Sequence, residues 1–140
     1  MADQTENSKT LMRQITEEIW NQGRVELVED LIGEDFVDHV DVPGLEGSGP
    51  ARYRSHVETT RAMFSDFRNE LDLVVGEDDI AVSYGRIVGT NDGEMMGMPA
   101  TGKRVECVTV GLLRFVDGKA VERWGIADTM KMMEQLGILG

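Results

Sequence analysis

Basic residues, cysteines and histidines are scarce in this sequence, and each scarcity excludes a class of protein. Lys and Arg number 14 against 26 Asp and Glu, which leaves a formal net charge of −12. Such a chain lacks the basic surface with which proteins bind nucleic acid or anionic membranes. Cys107 is the only cysteine, so no intrachain disulfide can form and an intracellular setting is the simplest interpretation. A small neutral or weakly acidic organic ligand is compatible with this composition.

Long hydrophobic runs and nucleotide-binding motifs are also missing. No stretch approaches the roughly 18 apolar residues of a membrane span, and residues 1–9 lack the apolar core of a signal peptide. We therefore predict a soluble, cytoplasmic protein. The glycines of residues 44–49 are not followed by the Lys and Ser or Thr of a phosphate-binding loop, and no serine-centred nucleophile elbow occurs. The two histidines have no cysteine or carboxylate at ligand spacing, so we predict no metal site.

The hydrophobic pattern is helical in the first half of the chain. Apolar residues recur at helical spacing in segments 8–22, 24–32 and 51–64, whereas residues 1–8 are expected to form a flexible N-terminus. A short extended piece, 36–39, separates the second helix from the third.

Strand-like alternation follows, and with it the architecture can be predicted. Strands are expected over 67–75, 80–90, 104–116 and 121–128, with a tight hairpin at Asp117-Gly118. A closing helix covers residues 129–136. This order indicates one α+β domain spanning residues 1–140, in which N-terminal helices pack on a curved antiparallel sheet and form a half-open cone.

Asp128 stands at the end of the last predicted strand, directly before the closing helix. A carboxylate held there over an apolar surface can have a raised pKa and act as a general base toward carbon next to a carbonyl. Asp is also a favoured N-cap residue, so Asp128 could simply cap the helix. The two roles can coexist, and spacing alone leaves both open.

Five short segments resemble a known family, the SnoaL-like polyketide cyclases, also called ester cyclases. They are Glu17–Gly23, Phe36–His39, Gly97–Val105, Phe115–Lys119 and Trp124–Asp128. The resemblance extends over nearly the whole chain, with its motifs in the family's order.

The resemblance implies a cone-shaped α+β fold, the one named after nuclear transport factor two. It implies a lyase- or isomerase-type enzyme that closes a carbocycle by intramolecular aldol condensation without metal or cofactor, and it places the family's acid–base carboxylate at Asp128. Isomerases, dehydratases, epoxide hydrolases and non-catalytic transport factors share this fold. Another reaction in the same pocket, hydroxylation included, or a non-catalytic binding or assembly role therefore stays open.

The two histidines are further candidates. A family-like cone would place His39 near the pocket mouth, where it could orient the substrate or hydrogen-bond a carbonyl oxygen; it could equally satisfy a buried loop. His56 lies on a helix flank, with surface exposure as the alternative to substrate binding.

Aromatic and other side chains complete the predicted substrate-binding set, which comprises Trp20, Tyr53, Met98, Arg114 and Trp124. In the resembled family the corresponding tryptophans border the cavity, where a flat aromatic wall suits a hydrophobic or aromatic substrate. The tyrosine could donate to an oxyanion or simply pack. The methionine belongs to an apolar cluster that forms a lid or a subunit contact, and the arginine binds an acidic group or is paired at the surface.

The strand over 104–116 is apolar on both faces, since Val108, Val110 and Leu112 alternate with Cys107 and Leu113. Strands of this kind are usually buried on both sides. We therefore predict a homo-oligomer, a dimer or a tetramer.

Overall fold

A computed structural model describes residues 3–139 as a layer of helices on one five-stranded sheet. The helical segments are α1 (Asp3–Gln14), a π-helical turn (Ile15–Asn21), a 3-10 turn (Val25–Leu27), α2 (Val28–Leu31), α3 (Gly49–Met63) and α4 (Thr129–Leu136). The strands are β1 (Ile32–Asp38), β2 (Arg68–Glu77), β3 (Ile80–Thr90), β4 (Arg104–Val116) and β5 (Lys119–Ala127). The expected α+β class, with helices on a curved sheet, is confirmed.

The N-terminal region differs from the prediction in two ways. The segment expected to be flexible is helical from Asp3 onward, because Ser8 is buried and its hydroxyl donates to the carbonyl of Asp78 over 2.7 Å; Met1 and Ala2 lie outside the described residues. The second predicted helix is mostly two short turns, and the strand that follows begins at Ile32 instead of Phe36.

The sheet has the order β1-β5-β4-β3-β2. Strands β2 to β5 form the expected antiparallel meander, but β1 pairs with β5 in parallel, so the sheet is mixed at that edge. The parallel partner lies far along the sequence, which is why local alternation could not reveal it.

The helices cover one face of this sheet, and the main core lies between the two layers. Ile15, Ile19, Val57, Leu113 and Ala120 are among its buried members. A second cluster around Phe64, Val105 and Leu136 lies under α4. The opposite face carries no helix of the described chain and leaves large apolar side chains exposed, namely Leu73, Val75, Tyr84, Val108 and Ile126.

Candidate active site between the helices and the sheet

A cavity of about 220 Å³ lies between the helical layer and the covered face of the sheet. Aromatic and aliphatic side chains form much of its wall, including Met12, Ile15, Trp20, Tyr53, Phe67 and Ile87. Arg123 and His56 supply its charged and titratable groups. The expected pocket between helices and sheet, with a tryptophan in its wall, is thus present.

A row of small residues across three strands leaves the space open. Ser83 on β3 pairs with Gly111 on β4, which pairs with Gly125 on β5, and all three border the cavity. The next row along the same face, Ala81 with Leu113 and Arg123, carries larger groups. The cavity is therefore a consequence of missing side chains at the centre of the sheet.

The π-helical turn presents Trp20 to this cavity. The carbonyls of Trp20 and Asn21 accept from the Arg61 guanidinium over 2.9 and 3.1 Å, which satisfies backbone groups at the end of the turn. The indole N–H of Trp20 then donates to the hydroxyl of Tyr53 over 2.7 Å, and Tyr53 is almost fully buried. Burial raises the pKa of Tyr53, so its hydroxyl stays protonated. Such π-helical turns often occur at functional sites.

Arg123 reaches into the cavity from β5 and is held by two groups. Its Nε lies 3.3 Å from Oδ1 of Asp38, a carboxylate with only 1% of its side chain exposed. Its Nη2 donates to Nδ1 of His56 over 3.2 Å. The guanidinium also lies 5.8 Å from the ring centres of both Trp20 and Tyr53. Four groups thus fix one buried cation at the polar end of an apolar pocket.

His56 is half-buried in the cavity wall. Burial first, and the nearby guanidiniums of Arg123 and Arg52 second, lower the pKa of His56 to about 3. The imidazole is therefore neutral near pH 7. Because its Nδ1 accepts from Arg123, its own proton resides on Nε2, and the side chain offers a donor.

Trp124 borders the cavity, but strand alternation directs its ring to the other face of the sheet from its neighbour Arg123. There the ring stacks on His39, with centroids 5.0 Å apart and planes 14° apart, and the Arg114 guanidinium lies 5.7 Å from its centre. Glu122 bonds both of these partners, over 2.7 Å to His39 and 3.1 Å to Arg114. These bonds lower the pKa of Glu122.

This cluster separates two predicted site residues from the pocket. His39 and Arg114 belong to the outer face, and neither is among the described residues that line the cavity. His39 lies on the outer face because it follows a strand whose alternation buries Asp38 and turns His39 outward. Arg114 is paired at the surface with Asp79 and Glu122, which was the alternative left open.

Asp128 caps α4, as one of its two interpretations predicts. Its carboxylate accepts from the backbone N–H of Lys131 over 3.0 Å and is exposed. The expectation that this carboxylate lies inside the pocket is wrong, since the lining among residues 3–139 ends at Ala127. Burial first, and the negative charge of Asp128 second, raise the pKa of the inward-facing, buried Cys107 thiol.

The Met98 loop lies outside the wall formed by the described residues as well. The backbone groups of Met95 and Met98 exchange hydrogen bonds of 3.0 and 2.9 Å, and Met95 packs into the cluster under α4. Within residues 3–139, no three His, Cys, Asp or Glu side chains gather as metal ligands. No helix in that span is long and apolar enough to cross a membrane.

Sequence reasoning therefore identified Trp20, Tyr53 and His56 in the wall but missed Arg123 and its partner Asp38. A signal was available: Arg123 occupies the inward register of β5, where an unpaired charge is not tolerated. A carboxylate at the same depth was thus required, and Asp38, two residues after the buried Phe36, satisfies the alternation.

A family model and a characterised protein match most of this sequence. Residues 10–136 match the family model described as SnoaL-like polyketide cyclase. The nogalonic acid methyl ester cyclase of Streptomyces nogalater is 29% identical over 119 residues, which cover 84% of this chain and 89% of that protein.

Two solved structures share the fold of this chain. IdmH of Streptomyces antibioticus, a proposed polyketide cyclase, is 28% identical with a TM-score of 0.78, over 93% of this chain and 98% of its own. AclR of Streptomyces galilaeus, a proposed hydroxylase, is 27% identical with a TM-score of 0.81, over 97% and 88%.

Proposed function

The chain belongs to the SnoaL-like polyketide cyclase family, and from that premise we propose that it closes a ring in a polyketide by intramolecular aldol addition, without a cofactor. The observation that carries the proposal is the cavity of about 220 Å³, apolar over most of its wall and with the buried Arg123 at one end. An aldol ring closure needs these two elements. The apolar wall holds the substrate in a folded conformation, and the cation stabilises the negative charge that develops on the carbonyl oxygen.

The proposed reaction has three steps, and together they conserve all atoms. A base removes a proton from carbon next to a carbonyl and leaves an enolate. The enolate carbon attacks a second carbonyl of the same molecule, so that one C–C bond forms and an alkoxide results. The alkoxide takes a proton, and the product is an isomer of the substrate. The pocket contributes by holding both carbonyls within reach of each other. The conformational entropy of the substrate chain is then lost on binding and no longer adds to the barrier of the reaction.

Asp128 is the proposed acid–base residue. It follows Ala127, the last residue of the cavity wall on β5, and its charge reaches Cys107 on the covered face. Productive binding requires a rotation of its carboxylate away from the N–H of Lys131 toward the end of the cavity. That rotation gives up a helix cap, at a cost of about 1 kcal/mol. Substrate that fills the cavity would desolvate the carboxylate and strengthen it as a base.

The substrate class follows from the wall and the relatives. Trp20, Tyr53 and Phe67 provide aromatic surface for a planar, hydrophobic ligand. The relative from Streptomyces nogalater is named for the methyl ester of nogalonic acid. An aromatic polyketide ester with a free ketone and an acidified methylene is therefore the substrate that we propose for this chain.

The test compares Asp128→Asn with Asp128→Ala, using nogalonic acid methyl ester as the first compound. Asn caps a helix as well as Asp does, whereas Ala does not. We expect both variants to lose roughly two orders of magnitude or more in turnover, and Asp128→Ala alone to lose about 1 kcal/mol of stability. The readout is a new chromatographic peak of unchanged mass. Unchanged turnover in folded Asp128→Asn would remove the proposed base.

A non-catalytic ligand-binding role is the second candidate, and the exposed, capping position of Asp128 favours it. It makes a different forecast for the same experiment. The protein would bind aromatic esters in the cavity but return them unaltered, and Asp128→Asn would leave the affinity unchanged.

A further inference from the structure

We propose that Arg123 selects the substrate by donating a hydrogen bond to the carbonyl oxygen that becomes the enolate oxygen. His56 positions the Arg123 guanidinium for this bond. The inference rests on the proposed function, because it names the oxygen that a ring closure in this cavity would charge. It goes further in assigning an oxyanion site of this chain to residues of β1, α3 and β5, away from Asp128 at the start of α4.

The charge balance of the buried cluster is the first argument. Asp38 faces two guanidiniums, with its Oδ1 3.3 Å from Nε of Arg123 and its Oδ2 3.9 Å from Nε of Arg52. No other carboxylate of residues 3–139 lies within ion-pair distance of either arginine. Two cations and one anion leave an excess of one positive charge. This excess lies inside a protein whose formal net charge is −12, so it is a local feature of the pocket.

The hydrogen-bond inventory of the cluster is the second argument. Arg52 directs Nη1 and Nη2 at the carbonyls of Leu45 and Val40, over 2.7 and 3.4 Å, and it is not among the described residues that line the cavity. Arg123 has five N–H groups, of which one faces Asp38, one donates to His56 and one lies near the Tyr53 hydroxyl. It lines the cavity with only 13% of its side chain exposed. Its remaining N–H groups are therefore the donors that an oxygen in the cavity would meet.

The state of His56 is the third argument. The groups that face this ring are Arg123, Arg52 and Trp20, and the two that are charged are both cations. A protonated imidazole would repel them, so His56 stays neutral and serves as an acceptor for Arg123. A neutral imidazole fixes the plane of the guanidinium without neutralising it. A carboxylate at position 56 would quench the charge that the substrate needs.

The consequence is a preference for anionic over neutral oxygen. A ketone oxygen gains an ordinary hydrogen bond from Arg123, whereas an enolate or alkoxide oxygen gains a charge-assisted one in a water-poor site. Stabilisation that grows as charge develops accelerates the reaction instead of merely tightening binding.

The experiment measures this preference without any turnover. The probe is 2-naphthol, a planar aromatic alcohol whose ionisation changes its fluorescence, with naphthalene as the uncharged match. Affinities for 2-naphthol are measured across its ionisation range for the wild-type protein. We expect the ionised form to bind at least tenfold more tightly than the neutral form, and naphthalene to show no dependence on pH in that range.

Variants then assign the preference to its residue. Arg123→Gln removes the excess cation and leaves Asp38 with Arg52 as its partner, so the remaining charges stay balanced. This variant should abolish the preference while naphthalene still binds. His56→Gln should reduce the preference, because the guanidinium loses one of its supports. Arg86→Gln is the matched control: Arg86 pairs with Glu70 and Asp72 at the surface, so removing its charge should change nothing.

The outcomes separate this inference from the proposed function. Equal binding of neutral and ionised 2-naphthol by wild-type protein would overturn the assignment, even if the protein proves to be a cyclase. A retained preference in folded Arg123→Gln would overturn it too. If Arg123→Gln does not fold, the NMR signal of the Arg123 guanidinium protons in wild-type protein decides, since it must move downfield with ionised 2-naphthol and not with naphthalene. A tenfold preference in a protein that cyclises nothing would confirm the oxyanion site and refute the ring closure.

Discussion

The indole N–H of Trp20 donates to the hydroxyl of Tyr53 over 2.7 Å, and this bond joins the π-helical turn to α3 across one wall of the cavity. Replacement of Tyr53 by Phe would leave the indole donor without its partner in a largely buried place. We expect Tyr53→Phe to lower the free energy of unfolding by about 1–3 kcal/mol, measured by urea denaturation. Tyr84→Phe is the control, since Tyr84 is 47% exposed, and it should change stability by less than about 0.5 kcal/mol.

The titration of His56 provides a second test. Because burial and Arg123 lower its pKa to about 3, the ring should remain neutral across the physiological range. In a His39→Gln variant His56 is the only imidazole, and its NMR signals should not shift between about pH 5 and pH 8. A midpoint near 6.5 would show that the ring is solvated and not held in the wall.

The same group makes stability depend on pH. Its folded pKa of about 3 lies below its ordinary value of 6.5, so the unfolded chain binds the proton first as the pH falls. The stability that the neutral ring allows is fully present above pH 6.5 and is lost as the pH falls toward 3. The expected slope is up to about 1.4 kcal/mol per pH unit. Urea unfolding of wild-type protein and His56→Gln over this window measures it, and the stability of the wild-type protein relative to the variant should rise with pH.

Filling the row of small residues should reduce binding without unfolding the protein. A methyl group at position 111 would meet the Ser83 hydroxyl oxygen at 3.3 Å, and that side chain can rotate away. We expect Gly111→Ala to weaken the binding of naphthalene about tenfold, in line with the effect of one methylene in an apolar pocket. Ser83→Ala with Gly111→Ala relieves the contact but keeps the loss of space, so weak binding should persist. Recovery of affinity in the double variant would point to a clash instead of lost volume.

Self-association through the open face of the sheet is the fifth expectation. Leu73 on β2 pairs with Tyr84 on β3, which pairs with Val110, and Val110 with Ile126, so one apolar row crosses four strands. We expect a dimer by light scattering at micromolar concentration, and a monomer for Tyr84→Lys, because a charge at the centre of the row would be buried. Met130→Lys is the control on α4, where the side chain is 70% exposed. A wild-type monomer would contradict the expectation.

Much of the fold could be predicted because its signals are local. The alternation in β2 to β5 and the Asp117-Gly118 turn report the meander, since each strand pairs with the next. The limits are equally physical. The place of β1 in the sheet depends on β5, which is distant in sequence. The π-helical turn contains Trp20 and keeps the apolar spacing of an ordinary helix, so hydrophobic periodicity does not reveal it.

Site residues were predictable where a side chain's type and its face both pointed inward. Trp20 and Tyr53 satisfy both conditions. His39 has a suitable side chain on the wrong face, because one step along an extended chain reverses direction. Asp128 shows the limit of position alone, since the end of a strand and the start of a helix are the same residue, and the carboxylate can serve either.

The parallel pairing of β1 with β5 also bears on how the protein is made. The ribosome synthesises β1 long before β5. That edge of the sheet can form only once Ala120 and Glu122 are available to pair with Ile32 and Val37. Contacts between such distant parts of a chain slow folding. The pocket therefore cannot close around Arg123 until β5 has been synthesised and has paired with β1.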